Sequence, residues 1–583
     1  MQMNDTEFQP NIKNGSILAA SNQMKQIIYL ISTIVGLFLA SNRCFAGFIA
    51  TELLGRPTAT SITINACADS AMQVYYQYGT DSTNYESETE VIACQDSIPF
   101  VCVIENLNPN TQYFYRMRYR PEGTDQFLVR ANHSFRTAKT DNNTFRFAVE
   151  ADPHMDTNSN ASVYVLTLQN IQEANPDFLI DLGDNFFTEK YPPYSQERTL
   201  ERHLLLRSFY DIACHSVPLF LVLGNHEGED SWRLDGSPDC LPIWATNTRK
   251  AYFPNPIPDN FYSGDTTQYQ YLGNRESYYS WEWGNALFVV LDPFWYAPRR
   301  QGPFPYCWRL TLGRTQYDWF TNVLQQSNAR FKFVFIHQLV GGNTTDSRGG
   351  IESAPFYEMG GLNPDSTWGF DEYRPGWEIP LHDLMANYGV TILFHGHDHF
   401  YAKQDLDNIV YQLVPQPSSN NFSGPNQAAE YGYINGTLLP PRGYLLVTVS
   451  DSICQVDYIR TFLPEEVNGQ RHNGDISDSY SIIRSDSSNH TGNCVYRIGD
   501  INGDSSVLGG DVTYGVRFFK LIGNRPPDSC YMDSTHSYLY VAGDVNGNCE
   551  FRGSDITRLV AYFKLIAPLQ YCHFFPPPLR RRR

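Results

Sequence analysis

"ILFHGHDHFY", Ile392 to Tyr401, carries an apolar run into three histidines at alternate positions, His395, His397 and His399. Alternate side chains of an extended segment share a face, so this spacing lets up to three imidazoles point the same way. One segment cannot complete a metal site, so partners must come from elsewhere in the chain. Four other apolar runs end similarly. "FAVEADPH" delivers Asp152 and His154, "FLIDLGDN" Asp184, "LFLVLGNHE" Asn225 and His226, and "FVFIHQ" His337. In open α/β sheets, functional groups gather in the crevice beyond the carboxyl ends of the strands. These groups can therefore converge although they are far apart in sequence.

The surrounding pattern agrees. From Thr144 onward, short apolar runs alternate with stretches that have apolar residues at helical spacing: Ala161–Asn175, Glu197–Ser216, Thr315–Asn328 and Pro380–Tyr388. This alternation predicts an α/β sheet domain. Imidazole and carboxylate donors suit Zn, Fe or Mn, whereas a calcium site is built from oxygen. Two divalent cations ~3.5–4 Å apart need an anionic bridge, which an aspartate supplies, and such a pair acidifies a shared water.

The order D-x-H, G-D, G-N-H-E, H, G-H-x-H resembles that of the calcineurin-like metallophosphoesterase superfamily, from Asp152 through His399. The resemblance implies a catalytic domain over residues 141–464 with two mixed sheets flanked by helices. It also implies two bound transition-metal ions. Asp152, His154, Asp184 and His399 would hold one. Asp184 would bridge to the second, held also by Asn225, His337 and His397. His226 would face the substrate, and Asp184 and His226 are the catalytic pair. His395 lies outside the pattern and is expected to orient a ligand or serve the structure. In purple acid phosphatases the first block is D-x-G, and a tyrosine ligand follows G-D by three residues. Here Phe187 stands at that place and His154 has been gained, so the resemblance implies that a coloured tyrosinate–iron(III) bond is absent.

Residues 47–140 alternate apolar and polar positions between turn residues, an all-β pattern. Within them "LNPNTQYFYRMRY", Leu107 to Tyr119, resembles the tyrosine corner of fibronectin-type sandwiches. The whole segment resembles the N-terminal domain of purple acid phosphatases. Residues 465–493 are rich in Ser, Asp, Asn and Gly and read as a linker.

Residues 494–570 hold a repeat, "GDINGDSSVLGGDVTYGVRFFKLIG" and "GDVNGNCEFRGSDITRLVAYFKLIA". Asp500, Asn502, Asp504 and Asp511 fall at positions 1, 3, 5 and 12 of the first loop. Asp544, Asn546, Asn548 and Asp555 do so in the second. This is calcium-loop spacing ahead of an amphipathic helix. The duplication resembles a small α-helical dockerin domain, which implies bound Ca2+ and a possible cohesin partner. Residues 571–583 form a basic tail.

The fold class expected is therefore multidomain. A fibronectin-type β-sandwich precedes an α/β metallophosphoesterase domain, and a dockerin-like module follows. The formal charge of −19 and pI near 5.1 argue against a nucleic-acid polymer as partner. Both are compatible with a small phosphorylated substrate held by metal. Within residues 1–46, Met24 is read as the start of a secretory signal peptide. Lys25 is its charged start, Ile27–Ala40 its apolar core and Cys44-Phe45-Ala46 its cleavage site. The apolar run is shorter than the ~20 residues a membrane span needs, so a secreted or cell-surface protein without a transmembrane anchor is expected. Of the twelve cysteines, nearness in sequence suggests Cys94–Cys102 and Cys214–Cys240 disulfides.

The activity expected is metal-dependent hydrolysis of phosphate esters by a metal-bound hydroxide, with monoesters favoured by the phosphatase-like sandwich. The alternative within the superfamily is a phosphodiesterase or nucleotidase. Outside enzymes it is a non-catalytic cell-surface binding protein, against which the complete ligand set argues. The segment Tyr296–Arg314, with Arg299, Arg300, Arg309 and Arg314, and the insertion after Glu227 are expected to rim the cleft or to be ordinary surface loops.

Overall fold

Strict alternation builds the first layer. In the strand Gln112–Pro121, Tyr113, Tyr115, Met117 and Tyr119 point inward while their neighbours are only half-buried. The computed structural model describes residues 47–572 except 141–143, 157–158, 187, 189–191, 299–305, 343–346, 485–495, 505, 521–525, 527–529 and 533–536. The leader, Phe187, Arg299, Arg300 and the tail from residue 573 lie outside the described residues. Among the described residues no helix is long and apolar enough to cross a membrane.

The N-terminal region is a two-sheet sandwich. One sheet runs Phe48–Gly55, Ile62–Ala68, Pro99–Ile104. The other runs Ser87–Glu88, Met72–Gly79, Gln112–Pro121, Leu128–Arg136, with Ile92–Cys94 also pairing with Met72–Gly79. The Tyr113 hydroxyl accepts the Asn108 N–H at 3.0 Å, which ties the turn before its strand to the sheet.

A buried arginine joins this sandwich to the next domain. Arg207, on the helix Gln196–Tyr210, donates to the Asn65 side chain at 2.7 Å and the Asn65 carbonyl at 2.8 Å. It also donates to the Thr51 and Tyr252 carbonyls. A buried guanidinium persists only when its donors are satisfied in this way.

Two larger sheets form the middle domain. One orders its strands Leu219–Leu221, Phe178–Asp181, Phe145–Glu150, Gly443–Val449, Ile453–Arg460, Ile476–Ile483. The other orders Ser263–Gly264, Tyr279–Trp283, Ala286–Val290, Phe331–Phe335, Ile392–His395, Ile409–Leu413, Tyr401–Leu406, Thr437–Leu439. The inner faces meet in an aromatic core that includes Phe147, Phe178, Phe288, Phe333, Phe335 and Phe394. Further apolar clusters lie under the outer helices. The strands Phe145–Glu150, Phe178–Asp181 and Leu219–Leu221 are mutually parallel, as are Ala286–Val290, Phe331–Phe335 and Ile392–His395. Within each set the carboxyl ends therefore share one edge, and that edge carries the polar clusters.

Two sequence expectations change. Residues 465–493 include the strand Ile476–Ile483, paired with Ile453–Arg460 at the sheet edge. Its composition reads as a loop because only Tyr480 and Ile482 pack on the core. Cys94, Cys102, Cys214 and Cys240 are free buried thiols. Cys94 and Cys102 sit on strands of opposite sheets of the sandwich, and Cys214 and Cys240 belong to different apolar clusters. The disulfide among the described residues is Cys549–Cys572, which fastens the second repeat loop to the end of the C-terminal module. Arg314 forms a surface ion pair with Asp318 at 2.6 Å, in keeping with the surface-loop alternative for its segment.

Candidate metal centre

Each expected ligand follows the end of a strand, and five of the seven stand on a sharply turned backbone. Asp152, His154, Asp184, His397 and His399 have φ of 60°, 44°, 55°, 76° and 68°. Each such conformation costs a non-glycine residue on the order of 1–3 kcal/mol, and strain of this kind collects at functional sites. The glycines in the motifs let these turns pack together. A Cβ on Gly224 would lie 2.3 Å from Asp184 Oδ1, and one on Gly396 would lie 2.6 Å from Asp152 Oδ2.

The two aspartates face each other across the turns. Asp152 Oδ2 accepts the His397 N–H at 2.8 Å, and Asp184 Oδ1 accepts the His226 N–H at 2.9 Å. Their other oxygens are buried, accept no hydrogen bond and look onto imidazoles. Asp152 Oδ1 is 3.4 Å from His154 Nε2, 3.5 Å from His399 Nε2 and 3.9 Å from His337 Nε2. Asp184 Oδ2 is 3.1 Å from His337 Nε2, 3.6 Å from His154 Nε2 and 3.8 Å from His226 Nε2. The donor atoms of Asp184, His337 and His397 also lie within 4.8 Å of one another.

This spacing fits cations. Two donors each ~2.1 Å from one ion at the tetrahedral angle stand ~3.4 Å apart. The buried Asn225 Oδ1 and His337 Nε2 also lack a hydrogen-bond partner, as ligand atoms awaiting an ion would. His337 donates through Nδ1 to the Leu182 carbonyl at 2.8 Å, which leaves its Nε2 lone pair for a metal.

The charge balance agrees. Burial alone would raise both carboxyls, yet His399 and His154 hold Asp152 below the usual range, as His226 and His337 do Asp184. Burial opposes a charged His337, but Asp184 and then Asp152 draw it up to about 10. Burial, and then the charge on His399, brings His154 down to about 4. Burial, followed by Arg348 and His337, keeps His397 well below its ordinary value. Two buried carboxylates thus call for positive charge between them, which His337 meets in part as a cation, while the His154 and His397 rings are kept neutral.

Several supporting residues were not singled out from the sequence. Glu227 is buried and receives the Asn185 N–H at 2.8 Å and the Gly224 N–H at 2.6 Å, so one side chain joins two ligand loops. Asp398 accepts from Arg348 at 3.0 Å, from the Gly349 N–H at 2.9 Å and from the Tyr433 hydroxyl at 2.8 Å. It thereby fixes the turn that presents His397 and His399. Glu227 is the last residue of the G-N-H-E block, and the sequence signal of Asp398 is adjacency to a ligand. His395 is buried with an unpartnered Nε2.

The calcium-type positions lie in the C-terminal module, in two loops that each lead into a helix, Gly509–Phe519 and Gly553–Phe563. Asp500, Asp511, Asp544 and Asp555 are buried. Asp511 receives the Ile501 N–H at 2.8 Å, and Asp555 receives the Val545 N–H at 3.1 Å. Asn502, Asp504, Asn546 and Asn548 lie toward the outside of the loops, and their side-chain oxygens accept backbone N–H groups two residues on.

Paired sheets with a histidine–aspartate cluster at their carboxyl edge define the class of metal-dependent phosphoric ester hydrolases. Residues 145–401 match the family described as calcineurin-like phosphoesterase. Residues 145–401 are thus a calcineurin-like phosphoesterase domain, and the protein is a metal-dependent phosphoesterase. The fold is similar to a solved structure described as PhoD, at 16% identity and a TM-score of 0.55, covering 76% of this chain and 91% of that one. It is also similar to purple acid phosphatase PPD1 from yellow lupin (Lupinus luteus) seeds, at 15% identity and a TM-score of 0.50, covering 75% and 74%. No curated protein matches the chain by sequence.

Proposed function

We propose that the protein is a secreted phosphoesterase with a two-metal centre, acting on small phosphate esters with a preference for monoesters. The observation that carries this reading is the convergence of Asp152 and Asp184 on four imidazoles at 3.1–3.9 Å. One ion would be held by Asp152, His154, Asp184 and His399, and the other by Asp184, Asn225, His337 and His397. Bound there, Zn, Fe or Mn ions supply an acidified water and charge to offset the phosphoryl oxygens.

The residues divide the remaining work. Asp184 would serve both ion positions, and its Oδ1 accepts the His226 N–H. His226 is partly open to solvent, with 15% of its side chain exposed, where it can give a proton to the leaving oxygen. Asp398 and Glu227 keep the ligand turns from relaxing. The preference for monoesters rests on the phosphatase-like sandwich. Hydrolysis of p-nitrophenyl phosphate against bis-p-nitrophenyl phosphate, with and without added Mn or Zn, tests the reading. Faster turnover of the monoester is expected, and turnover of neither ester nor of a nucleotide panel would favour a binding protein.

The sandwich reads as fibronectin-type, supported by its three-stranded and five-stranded sheets and by the Tyr113–Asn108 bond. The C-terminal repeat reads as a dockerin-like module holding Ca2+ through Asp500, Asn502, Asp504 and Asp511 and through Asp544, Asn546, Asn548 and Asp555, with a cohesin as its possible partner. Calcium is expected to raise the melting temperature of the module, and Asp511→Ala with Asp555→Ala to remove that rise without changing ester hydrolysis. Differential scanning calorimetry with and without EGTA measures both. Secretion rests on the leader within residues 1–46.

A further inference from the structure

We propose that Arg348 binds the substrate phosphate directly, its guanidinium engaging an unesterified oxygen that a monoester has and a diester lacks. This deepens the phosphoesterase reading and rests on it. Arg348 lies at the end of the segment that follows the His337 ligand loop. Its Nη1 donates to the His397 carbonyl at 2.7 Å and to Asp398 Oδ1 at 3.0 Å. One edge of the planar group is thus fixed to the backbone of a metal-ligand turn. The Tyr431 ring lies against the guanidinium, with Cζ 4.4 Å from the ring centroid. A guanidinium held on one edge and one face cannot swing away, so its direction is set before substrate arrives.

Among the described residues, Nε and Nη2 have no hydrogen-bond partner. The side chain is 20% exposed, whereas Asp152 and Asp184 are 0% and 1% exposed. The group therefore lies beside the turn that carries the ligands His397 and His399 and is partly open to solvent. It is also close to the centre: its charge lowers the affinity of the His397 ring for a proton and is felt at Asp152.

Counting charge shows why such a group is useful here. A monoester brings a dianion to a chain of net charge −19, beside two buried carboxylates. Two metal ions offset the carboxylates and part of the phosphate. A fixed guanidinium opposite the remaining oxygen offsets the rest through charge-assisted hydrogen bonds, which are about twice as strong as neutral ones. A diester presents one anionic charge and gains less. Arg348 is then a specificity-determining residue as well as a brace for the His397 turn.

The test separates these two jobs. Asp398 keeps its bonds from Gly349 and Tyr433 when the guanidinium is removed, so Arg348→Met is expected to retain both metals by elemental analysis. Its affinity for inorganic phosphate, measured by calorimetry on the metal-loaded protein, should fall about 10- to 100-fold. The loss in kcat/KM on p-nitrophenyl phosphate should exceed that on bis-p-nitrophenyl phosphate about tenfold. Arg348→Lys keeps a charge without the fork and should recover part of the phosphate affinity. Unchanged phosphate affinity in Arg348→Met overturns the proposal. So does an equal loss on both esters accompanied by loss of metal, because Arg348 is then a brace alone. If Arg348→Met does not fold, Arg348→Lys with wild-type phosphate affinity overturns it instead. Should the wild-type protein hydrolyse neither ester, the phosphoesterase reading fails, while phosphate binding still decides the role of Arg348.

Discussion

Asp184→Asn is expected to abolish phosphoester hydrolysis and to release metal from both positions. Asp184 Oδ2 sits within 3.1–3.8 Å of three imidazole nitrogens, so one oxygen serves both halves of the site. An amide has the same shape but no negative charge, and it presents an N–H₂ to one set of ligands. Two cations then lose the bridge that offsets their repulsion. The damage should be local. The His226 N–H can still donate to the remaining side-chain oxygen, as it does to Oδ1 at 2.9 Å. Turnover should therefore fall by at least about 10³-fold, the scale on which removing one preorganised charge in an active site acts. Elemental analysis should find well under one ion per chain, with the circular dichroism spectrum unchanged. An Asp184→Asn protein that retains two ions would remove the bridge from the mechanism. Prolonged chelation of the wild type should give the same inactive, folded protein, and added Mn or Zn should restore it but not the variant.

The ligands could be read from the sequence because each ends an apolar strand. A buried strand demands continuous apolar residues, so a carboxylate or imidazole immediately after it stands out, as in "FLIDLGDN" and "FVFIHQ". The residues that hold the ligands in place carry no such contrast. Glu227 is one more acid in a polar turn until the fold brings Asn185 and Gly224 to it. Arg348 lies 50 residues from Asp398, and no local pattern pairs them. Arg207 reads as a surface residue on a polar helix, yet it is buried because Asn65, from another domain, covers it. Composition misleads at the edge of a sheet for a related reason. Ile476–Ile483 needs only one half-buried face, so serine and aspartate can fill the other. The disulfide expectations failed because short separation in sequence says nothing about which face of which sheet a thiol occupies.

His226→Gln is expected to leave both metals bound while slowing turnover about 10²- to 10⁴-fold, the usual range for a lost general acid. The geometry makes this a sharp test. His226 Nε2 is 3.8 Å from Asp184 Oδ2, and with His154 and Asp184 it forms a group of donors close enough to hold an ion. On distance alone it is a possible ligand. The place of His226 in the G-N-H-E block argues for the substrate side instead, because its partly exposed ring and its backbone bond to Asp184 have counterparts in the proposed ligands His399 and His397. A residue that donates to the leaving oxygen matters most when that oxygen departs as a strong base. The variant should thus lose far more activity on an alkyl phosphate than on p-nitrophenyl phosphate, whose leaving group departs unaided. A ligand role predicts equal losses on both substrates together with metal release. Comparing the two substrates and the metal content of one purified variant decides between these roles.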